Sequence, residues 1–330
     1  MNILITGATG FIGTRLALKL AEQGHRVHAL YRSEERAKAI VHPNVILFKG
    51  DITDYRSVEK AVKSCEVIFH MAAYAKAWAK DAATFNRVNV QGTANVLDAA
   101  QKEGVRKIVY TSTAGVIGPS NGERVTENTQ RETEYFSEYE ITKALAEEKV
   151  LEYIRKGLEI VIVNPTRVYG PGLLSVSNGV TKMIKLYSEG KFRWIPGNGK
   201  SIGNYVYVDD VVEGHILALE EGKSGERYIL GGVNFSYNDF FELLAEVSGR
   251  KLRMMKMSLS LMLGVAYLFS LRTKVLGTPP LITSEWVKRF LYNWEVSSVK
   301  AQEELNYQIT PLDEGFRKTL DWLKSNEENS

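Results

Sequence analysis

The sequence predicts a doubly wound α/β fold: a parallel sheet with helices on both faces, followed by a smaller, mainly helical C-terminal lobe. Three observations predict it. The first half of the 330-residue chain alternates short β-branched runs with helical patterns, the rhythm of strands joined by crossover helices. Several of those runs are apolar throughout, as strands covered on both faces require. The first run also passes through a glycine-rich turn straight into an amphipathic helix.

Taken in order, residues 2–6 read as strand, 11–23 as helix and 26–31 as strand. A third strand precedes GDITD, and 57–63 then read as helix and 67–71 as strand. Helix follows at 90–103, strand at 107–112, a long helix at 141–156 and another apolar strand at 159–164. After Pro165 the rhythm loosens, with Gly and Pro gathered at 169–172 and 196–203, typical of loops that cross between lobes. A strand and helix return at 205–221, with a short strand near 227–230. The remainder reads as helix, broken at Pro279 and Pro280, and the polar tail 324–330 is expected to fray. The expected division is therefore 1–168 with 204–231 as the first domain, and 169–203 with 232–330 as the second lobe.

Composition sets the class. Hydrophobic residues make up 44% of the chain and charged ones 25%, with 27 Gly against 8 Pro, which is globular rather than disordered or collagen-like. Lys and Arg number 42 against 39 acids. A net +3 spread along the chain gives no support to nucleic-acid binding. The single cysteine, Cys65, excludes an intrachain disulfide and fits a reducing compartment. The first strand starts at residue 2, leaving no room for a signal peptide, so a cytoplasmic protein is expected. One uncharged run, MSLSLMLGVAYLFSL at 257–271, is flanked by Arg253, Lys256 and Arg272. It falls short of the roughly 20 residues needed to span a bilayer, so no integral membrane segment is expected. It reads as a buried or lid helix; a helix lying on a membrane, or lining an apolar substrate site, is the alternative.

The turn after the first strand, ILITGATGFIG, places Gly7, Gly10 and Gly13 between strand and helix. Glycine serves where the chain turns sharply and where backbone approaches a pyrophosphate, and the helix offers unpaired N–H groups to the phosphates. This is the signature of a Rossmann-type dinucleotide site. The end of the second strand, VHALYRSEER, chooses the nucleotide. An NAD site usually holds the ribose hydroxyl with a carboxylate there; this chain has Arg32, with Arg36 one turn on. Forked cations suit a 2′-phosphate, so NADP(H) is favoured over NAD(H).

Tyr139 and Lys143 in YEITK stand one helical turn apart, on one face. A cation there would lower the phenol from its ordinary value near 10 and ease proton transfer. With 16 tyrosines, chance supplies about one such spacing with lysine, so position carries the argument. The pair follows a strand ending in Tyr110, Thr111, Ser112 and Thr113, whose hydroxyls would stand at the carboxyl edge where open α/β sheets bind ligands.

With these residues in view the chain resembles the extended short-chain dehydrogenases/reductases, the NAD-dependent epimerase/dehydratase superfamily, through most of its length. The resemblance implies that TGATGFIG is the cofactor loop, with Gly7, Thr9, Gly10, Phe11, Ile12 and Gly13 facing the cofactor. It implies that Asp51, with Ile52 beside it, contacts the adenine, although an N-cap role for Asp51 is equally open. His70-Met71-Ala72-Ala73 matches the family's H-x-A-A segment along the nicotinamide ribose, and Asn89 in VNVQGT its asparagine near the cofactor. Thr113 in TSTAGVIG becomes the catalytic hydroxyl, with Ser112 adjacent, Tyr139 the acid/base, and Lys143 the residue that binds the ribose and tunes Tyr139. NPTRVYGPG, with Pro165, Thr166 and Val168, would pass beside the nicotinamide. A homodimer packed through the helices that carry Asn89 and Tyr139 is also implied.

The family divides between sugar-nucleotide enzymes and carbonyl reductases. Sugar-nucleotide members typically carry an arginine before the aromatic of their V-x-V-D-D stretch to grip a diphosphate. Here GNGKSIGNYVYVDD puts Gly203 in that place, so no guanidinium is expected there, and Lys191, Arg193 or Lys200 would have to substitute. The stretch GNYVYVDDVVEGHILALE, with GERYILGG and PPLIT, resembles the dihydroflavonol-4-reductase-like branch. Thr113 is followed by Ala114 and Gly115 where dehydratases carry acids. The five histidines show no metal-ligand spacing, so no metal is expected, and Asp209 and Asp210 read as helix caps. The expectation is an NADPH-dependent reductase of a ketone or aldehyde, its substrate a hydrophobic small molecule, with Tyr139 as proton donor. The alternatives are a nucleotide-sugar epimerase that retains its cofactor, and a non-catalytic NADP-sensing regulator.

Overall fold

Apolar β-branched runs become strands where both faces can be covered, and the chain covers them on both sides. The computed structural model describes residues 1–174 and 178–328. Its first half runs β1 (Asn2–Thr6), α1 (Phe11–Glu22), β2 (Arg26–Tyr31), α2 (Glu34–Ala37), β3 (Val45–Lys49), α3 (Tyr55–Val62), β4 (Val67–His70), α4 (Ala83–Asn86), α5 (Gly92–Glu103), β5 (Lys107–Thr111), α6 (Glu138–Arg155) and β6 (Ile160–Val163). Then come β7 (Arg167–Tyr169), α7 (Gly179–Ser188), β8 (Trp194–Pro196), β9 (Ile202–Tyr207), α8 (Val208–Glu220), β10 (Arg227–Tyr228), β11 (Val233–Ser236), α9 (Tyr237–Ser248), β12 (Met255–Met257), α10 (Leu259–Leu276), α11 (Ser284–Lys288), α12 (Val299–Leu305) and α13 (Leu312–Glu328).

Seven strands form one sheet in the order β10-β6-β5-β4-β1-β2-β3, every pairing parallel. The chain leaves β1 toward β2 and β3, then returns to β4 on the other side. That reversal opens a crevice at the carboxyl ends of β1 and β4, the switch point where open α/β sheets take ligands. Alternation along the strands feeds two cores. Ile3 and Ile5 of β1 pack on one face with Val109 and Val161, whereas Leu4 packs on the other with Ile108 and Ile162. The expected α/β sheet is therefore present, with strand ends within a residue or so of their sequence positions.

The C-terminal region has its own aromatic core, with Tyr169, Tyr205, Phe240 and Phe316 buried together. β9 lies in a separate three-stranded sheet between β11 and β7, pairing antiparallel with the first and parallel with the second. α8, which follows it directly, buries Val211, Val212 and Leu219 against the large sheet.

Three expectations change. Asp209 and Asp210 lie in the first turn of α8 without capping it; Asp209 instead binds Arg15 of α1 and Asp210 accepts from Thr310 N at 2.8 Å. The polar tail is helical as far as Glu328, and 329–330 lie outside the described residues. Residues 259–271 of the uncharged run lie in α10, which continues to Leu276 and is not buried throughout: it turns one side into the lobe core and the other outward.

Candidate active site

The glycine-rich turn is tight because nothing larger fits. Gly7 has φ +75°, and a Cβ on it would stand 2.9 Å from Ala72 N; one on Gly13 would overlap the Gly7 carbonyl. Thr6 Oγ1 accepts from Ala72 N at 3.3 Å, so the loop and the 71–73 segment form one wall at the switch point. Gly10 is the N-cap of α1, with no side-chain cap and no acid in the first turn. Thr9, Phe11 and Ile12 lie at this helix start, and Phe11 packs against Gly172 of the loop after β7. An uncapped helix N-terminus beside backbone that leaves no room for a Cβ fits a dinucleotide phosphate.

Arg32 follows β2 and reaches Asp51, its Nη1 3.2 Å from Oδ2. Asp51 also accepts from Thr53 N and Thr53 Oγ1, each at 2.9 Å. Partial burial works against its charge, but these hydrogen bonds and Arg32 hold the carboxyl below its ordinary range. The N-cap of α3 is Asp54, not Asp51. Arg36 is exposed in α2, three residues after the Ser33 cap. Ile52 packs against Gly92. Asn89 sits in a π-helical turn, Arg87–Gln91, of the kind often found at functional sites. Its Oδ1 accepts from Tyr74 N at 2.7 Å and its amide donates to Thr142 Oγ1 at 3.0 Å, which fastens the segment after β4 to α6.

β5 delivers Ser112 and Thr113 to the carboxyl edge of the sheet, and α6 brings Tyr139. The Thr113 hydroxyl accepts from Gly115 N at 3.1 Å and lies near enough to the Tyr139 phenol to ease its ionisation. Ser112 Oγ is buried with no hydrogen-bond partner among the described residues, as is Asn164 Oδ1. The Asn164 amide donates to Thr113 O and to Glu147 Oε1, both at 3.1 Å. Pro165 O accepts from Ala114 N at 3.0 Å. Thr166 donates to Asn204 Oδ1 at 2.7 Å, and Val168 of β7 pairs with Val206.

The electrostatics differ from expectation. Lys143 does not hydrogen-bond Tyr139. Its ammonium donates to Tyr110 Oη at 2.6 Å and to Thr111 O at 2.8 Å, and burial lowers it to about 7. Tyr139 is pushed up to about 12 by burial; the cation acting against this is Arg289, with Glu140 opposing it and the nearby Thr113 hydroxyl assisting. The expected lowering of Tyr139 by Lys143 is thus replaced by a phenol that keeps its proton and an amine that titrates near neutrality.

Sequence reasoning missed the group around Glu140. This carboxylate is fully buried. It accepts from Arg131 Nη2 at 3.0 Å and Phe136 N at 2.9 Å, and forms an ion pair with Arg289. Arg289 lies in the turn after α11 and stacks over Trp294, 4.1 Å from the ring centre. No local signal joins residues 149 positions apart.

The argument from Gly203 is also corrected. A Cβ there would overlap the guanidinium of Arg167, so a cation does stand at that place. Arg167 donates to Tyr237 Oη at 3.0 Å and Tyr205 Oη at 3.4 Å, and pairs with no carboxylate among the described residues. Of the loop cations, Lys191 pairs with Glu189 at 2.7 Å. A second Tyr-x-x-x-Lys spacing, Tyr187 and Lys191, is not brought to the sheet edge: Tyr187 donates to Arg250 O within the C-terminal lobe. His70 and His215 are buried, bonded to Thr6 and Thr111, and burial lowers them to about 3 and about 4, so both are neutral packing groups.

Comparison with known proteins gives concordant results. Residues 3–231 match the family model described as NAD dependent epimerase/dehydratase family. The chain is 30% identical to a putative dihydroflavonol 4-reductase of Synechocystis over 97% of its length and 94% of that protein's. It is 32% identical to a 4-hydroxy-2-methyl-3-oxo-4-farnesyl-3,4-dihydroquinoline-1-oxide ketoreductase of Stigmatella aurantiaca, over 76% of this chain and 74% of the relative. The crystal structure of a Thermotoga maritima UDP-glucose 4-epimerase with UDP-glucose superimposes with a TM-score of 0.81 at 26% identity, covering 99% and 100% of the two chains.

Proposed function

The chain belongs to the NAD dependent epimerase/dehydratase family, NAD(P)-dependent enzymes acting on hydroxyl and carbonyl groups, and from that premise we propose that it reduces a ketone or aldehyde with NADPH. The observation that carries the reading is the convergence of the Thr113 hydroxyl and the Tyr139 phenol at the carboxyl edge of the sheet, near enough for the threonine to ease ionisation of the phenol. A phenol raised to about 12 holds its proton until an oxygen of comparable basicity develops beside it, which suits donation to a carbonyl being reduced. Thr113 orients that oxygen, and Asn164 braces Thr113 from behind. Lys143, held in place by Tyr110 and Thr111 O, binds the nicotinamide ribose. The bound nicotinamide supplies the hydride.

In this reading Gly7, Gly10, Gly13 and the start of α1 hold the pyrophosphate, and Asp51 and Ile52 face the adenine. Met71, Ala72, Ala73, Asn89, Pro165, Thr166 and Val168 border the nicotinamide half. Arg32 and Arg36 hold a 2′-phosphate, which makes NADP(H) the preferred cofactor over NAD(H). The substrate is a small hydrophobic carbonyl compound, a class supported by the ketoreductase name of the Stigmatella relative. The protein acts as a homodimer through α5 and α6, where Leu145 stands exposed; a Leu145→Glu variant that stays dimeric in analytical ultracentrifugation would refute this interface.

A second reading, a nucleotide-sugar epimerase, draws support from Arg167, an uncompensated cation beside Gly203 able to grip a diphosphate. One experiment separates the two. 4-Deuterated NADPH is offered with aryl, steroid-like and short aliphatic carbonyls, and UDP- and GDP-sugars are offered in parallel. Deuterium in a reduced product supports the reductase. Epimerisation without net loss of NADPH, with every carbonyl inert, overturns it. Intact NADPH binding with neither turnover would instead point to a regulator.

A further inference from the structure

Between Glu246 and Glu285 the chain has no acidic residue, while Arg250, Lys251, Arg253, Lys256, Arg272 and Lys274 all fall in that stretch. α10 runs through its centre. Met262 and Ala266 fix its inner side in the core of the C-terminal lobe. On the outer side Leu261 is 57% exposed, Leu268 65% and Leu271 41%, with Tyr267 at 64% beside them. Leu261, Leu268 and Leu271 stand at i, i+7 and i+10, one face of a helix, and exposed Leu276 extends it. Folded chains rarely leave such a row of large apolar side chains in water unless it meets a partner.

We infer that this face lies on the surface of a bilayer containing anionic lipid. The charge selects that occupant. Arg253 and Lys256 precede α10 and Arg272 shares its outer side; all three are exposed and none pairs with a carboxylate among the described residues. A second copy of the same face would bring like charges together, whereas acidic headgroups above acyl chains match both the basic residues and the leucines. Tyr267 and the exposed Trp286 are the residue types that settle at the headgroup level. Among the described residues no helix is long and apolar enough to cross a membrane, and α10 already buries one side in protein, so it lies on the bilayer without spanning it. This inference needs no turnover and stands apart from the reductase reading.

The full chain is sedimented with sucrose-loaded vesicles of phosphatidylcholine alone, or with about 30% phosphatidylglycerol. Binding is expected to the second composition at low salt, weakening roughly tenfold or more without the anionic lipid or at high salt. Leu268→Glu with Leu271→Glu is expected to weaken it by a similar factor or more, and Lys256→Glu with Arg272→Glu to remove the preference for anionic lipid. Circular dichroism and NADPH titration confirm that these surface variants fold. No binding by the unaltered chain, or unchanged binding by the double leucine variant, overturns the inference. So does a dimer that the double leucine variant splits, since a second copy would then cover the face.

Discussion

The ammonium of Lys143 rests 2.6 Å from the hydroxyl of Tyr110 on β5, not on Tyr139 of its own helix, the residue its spacing points to. β5 raises Tyr110 into the space between sheet and α6, so the lysine is held by the floor of the site. Its dry position lowers it to about 7, against an ordinary value near 10.4.

A stability slope follows. Between about pH 7 and pH 10 the unfolded chain holds a proton on Lys143 that the folded chain has released, so stability contributed by this group rises with pH across that window. Above about 10 the unfolded tyrosines lose protons before Tyr139, at about 12, and the trend reverses. Melting temperatures of the cofactor-free protein at several pH values between 7 and 9.5 are expected to show the rise, and Lys143→Met to flatten it. Equal slopes in the two proteins would show that the lysine is not buried as a neutral amine.

Arg289 and Glu140 yield the second prediction. Arg289→Gln removes a cation that holds Tyr139 down and leaves Glu140 with Arg131 as its remaining ion-pair partner. Folding stability should fall by about 1–3 kcal/mol. The pH optimum for reduction should move upward as the phenol becomes harder to ionise, and Arg289→Lys should restore part of both. A pH profile that does not move, whatever happens to stability, would reduce the arginine to a structural role.

The two hydroxyls after β5 are distinguishable. Thr113 stands near Tyr139 and eases its ionisation, whereas Ser112 Oγ is buried with no hydrogen-bond partner among the described residues. Thr113→Val is expected to lower kcat by about a hundredfold or more, and Ser112→Ala by no more than a few-fold. The reverse order would shift the catalytic hydroxyl by one residue.

Arg32 is drawn toward Asp51 at 3.2 Å, so a 2′-phosphate must compete with that carboxylate. Arg32→Ala should raise KM for NADPH about tenfold, in line with one charge-assisted hydrogen bond, and leave NADH nearly unaffected. Asp51→Asn should tighten NADPH through the released guanidinium. Parallel losses for both cofactors after Arg32→Ala would count against selection of NADP(H) by this residue.

Much of the sheet was legible because its strands are short, apolar and punctuated by glycine, and because Gly7, Gly10 and Gly13 meet a local steric demand. That Tyr139 and Thr113 meet at the sheet edge was legible for a similar reason, Tyr139 lying on α6 and Thr113 just past the end of β5. What escaped was set by distance along the chain. Lys143 found Tyr110 across the gap between helix and strand, Arg167 filled the space opened by Gly203, and Arg289 came from the far lobe to Glu140. No periodicity encodes such pairings. The outward side of α10 also escaped, since an uncharged run whose polar residues are only serines gives no sign of which side the lobe will cover.

The ion pair between Glu140 and Arg289 also bears on biosynthesis. When the first half of the chain has emerged from the ribosome, six of the seven sheet strands, Thr113 and Tyr139 have been made, but the carboxylate next to Tyr139 still lacks one of its two cations. That charge is balanced only after residue 289 has been translated and the last lobe has docked. A chain that stops short of residue 289 therefore leaves Glu140, the neighbour of Tyr139, with Arg131 as its one cation among the described residues.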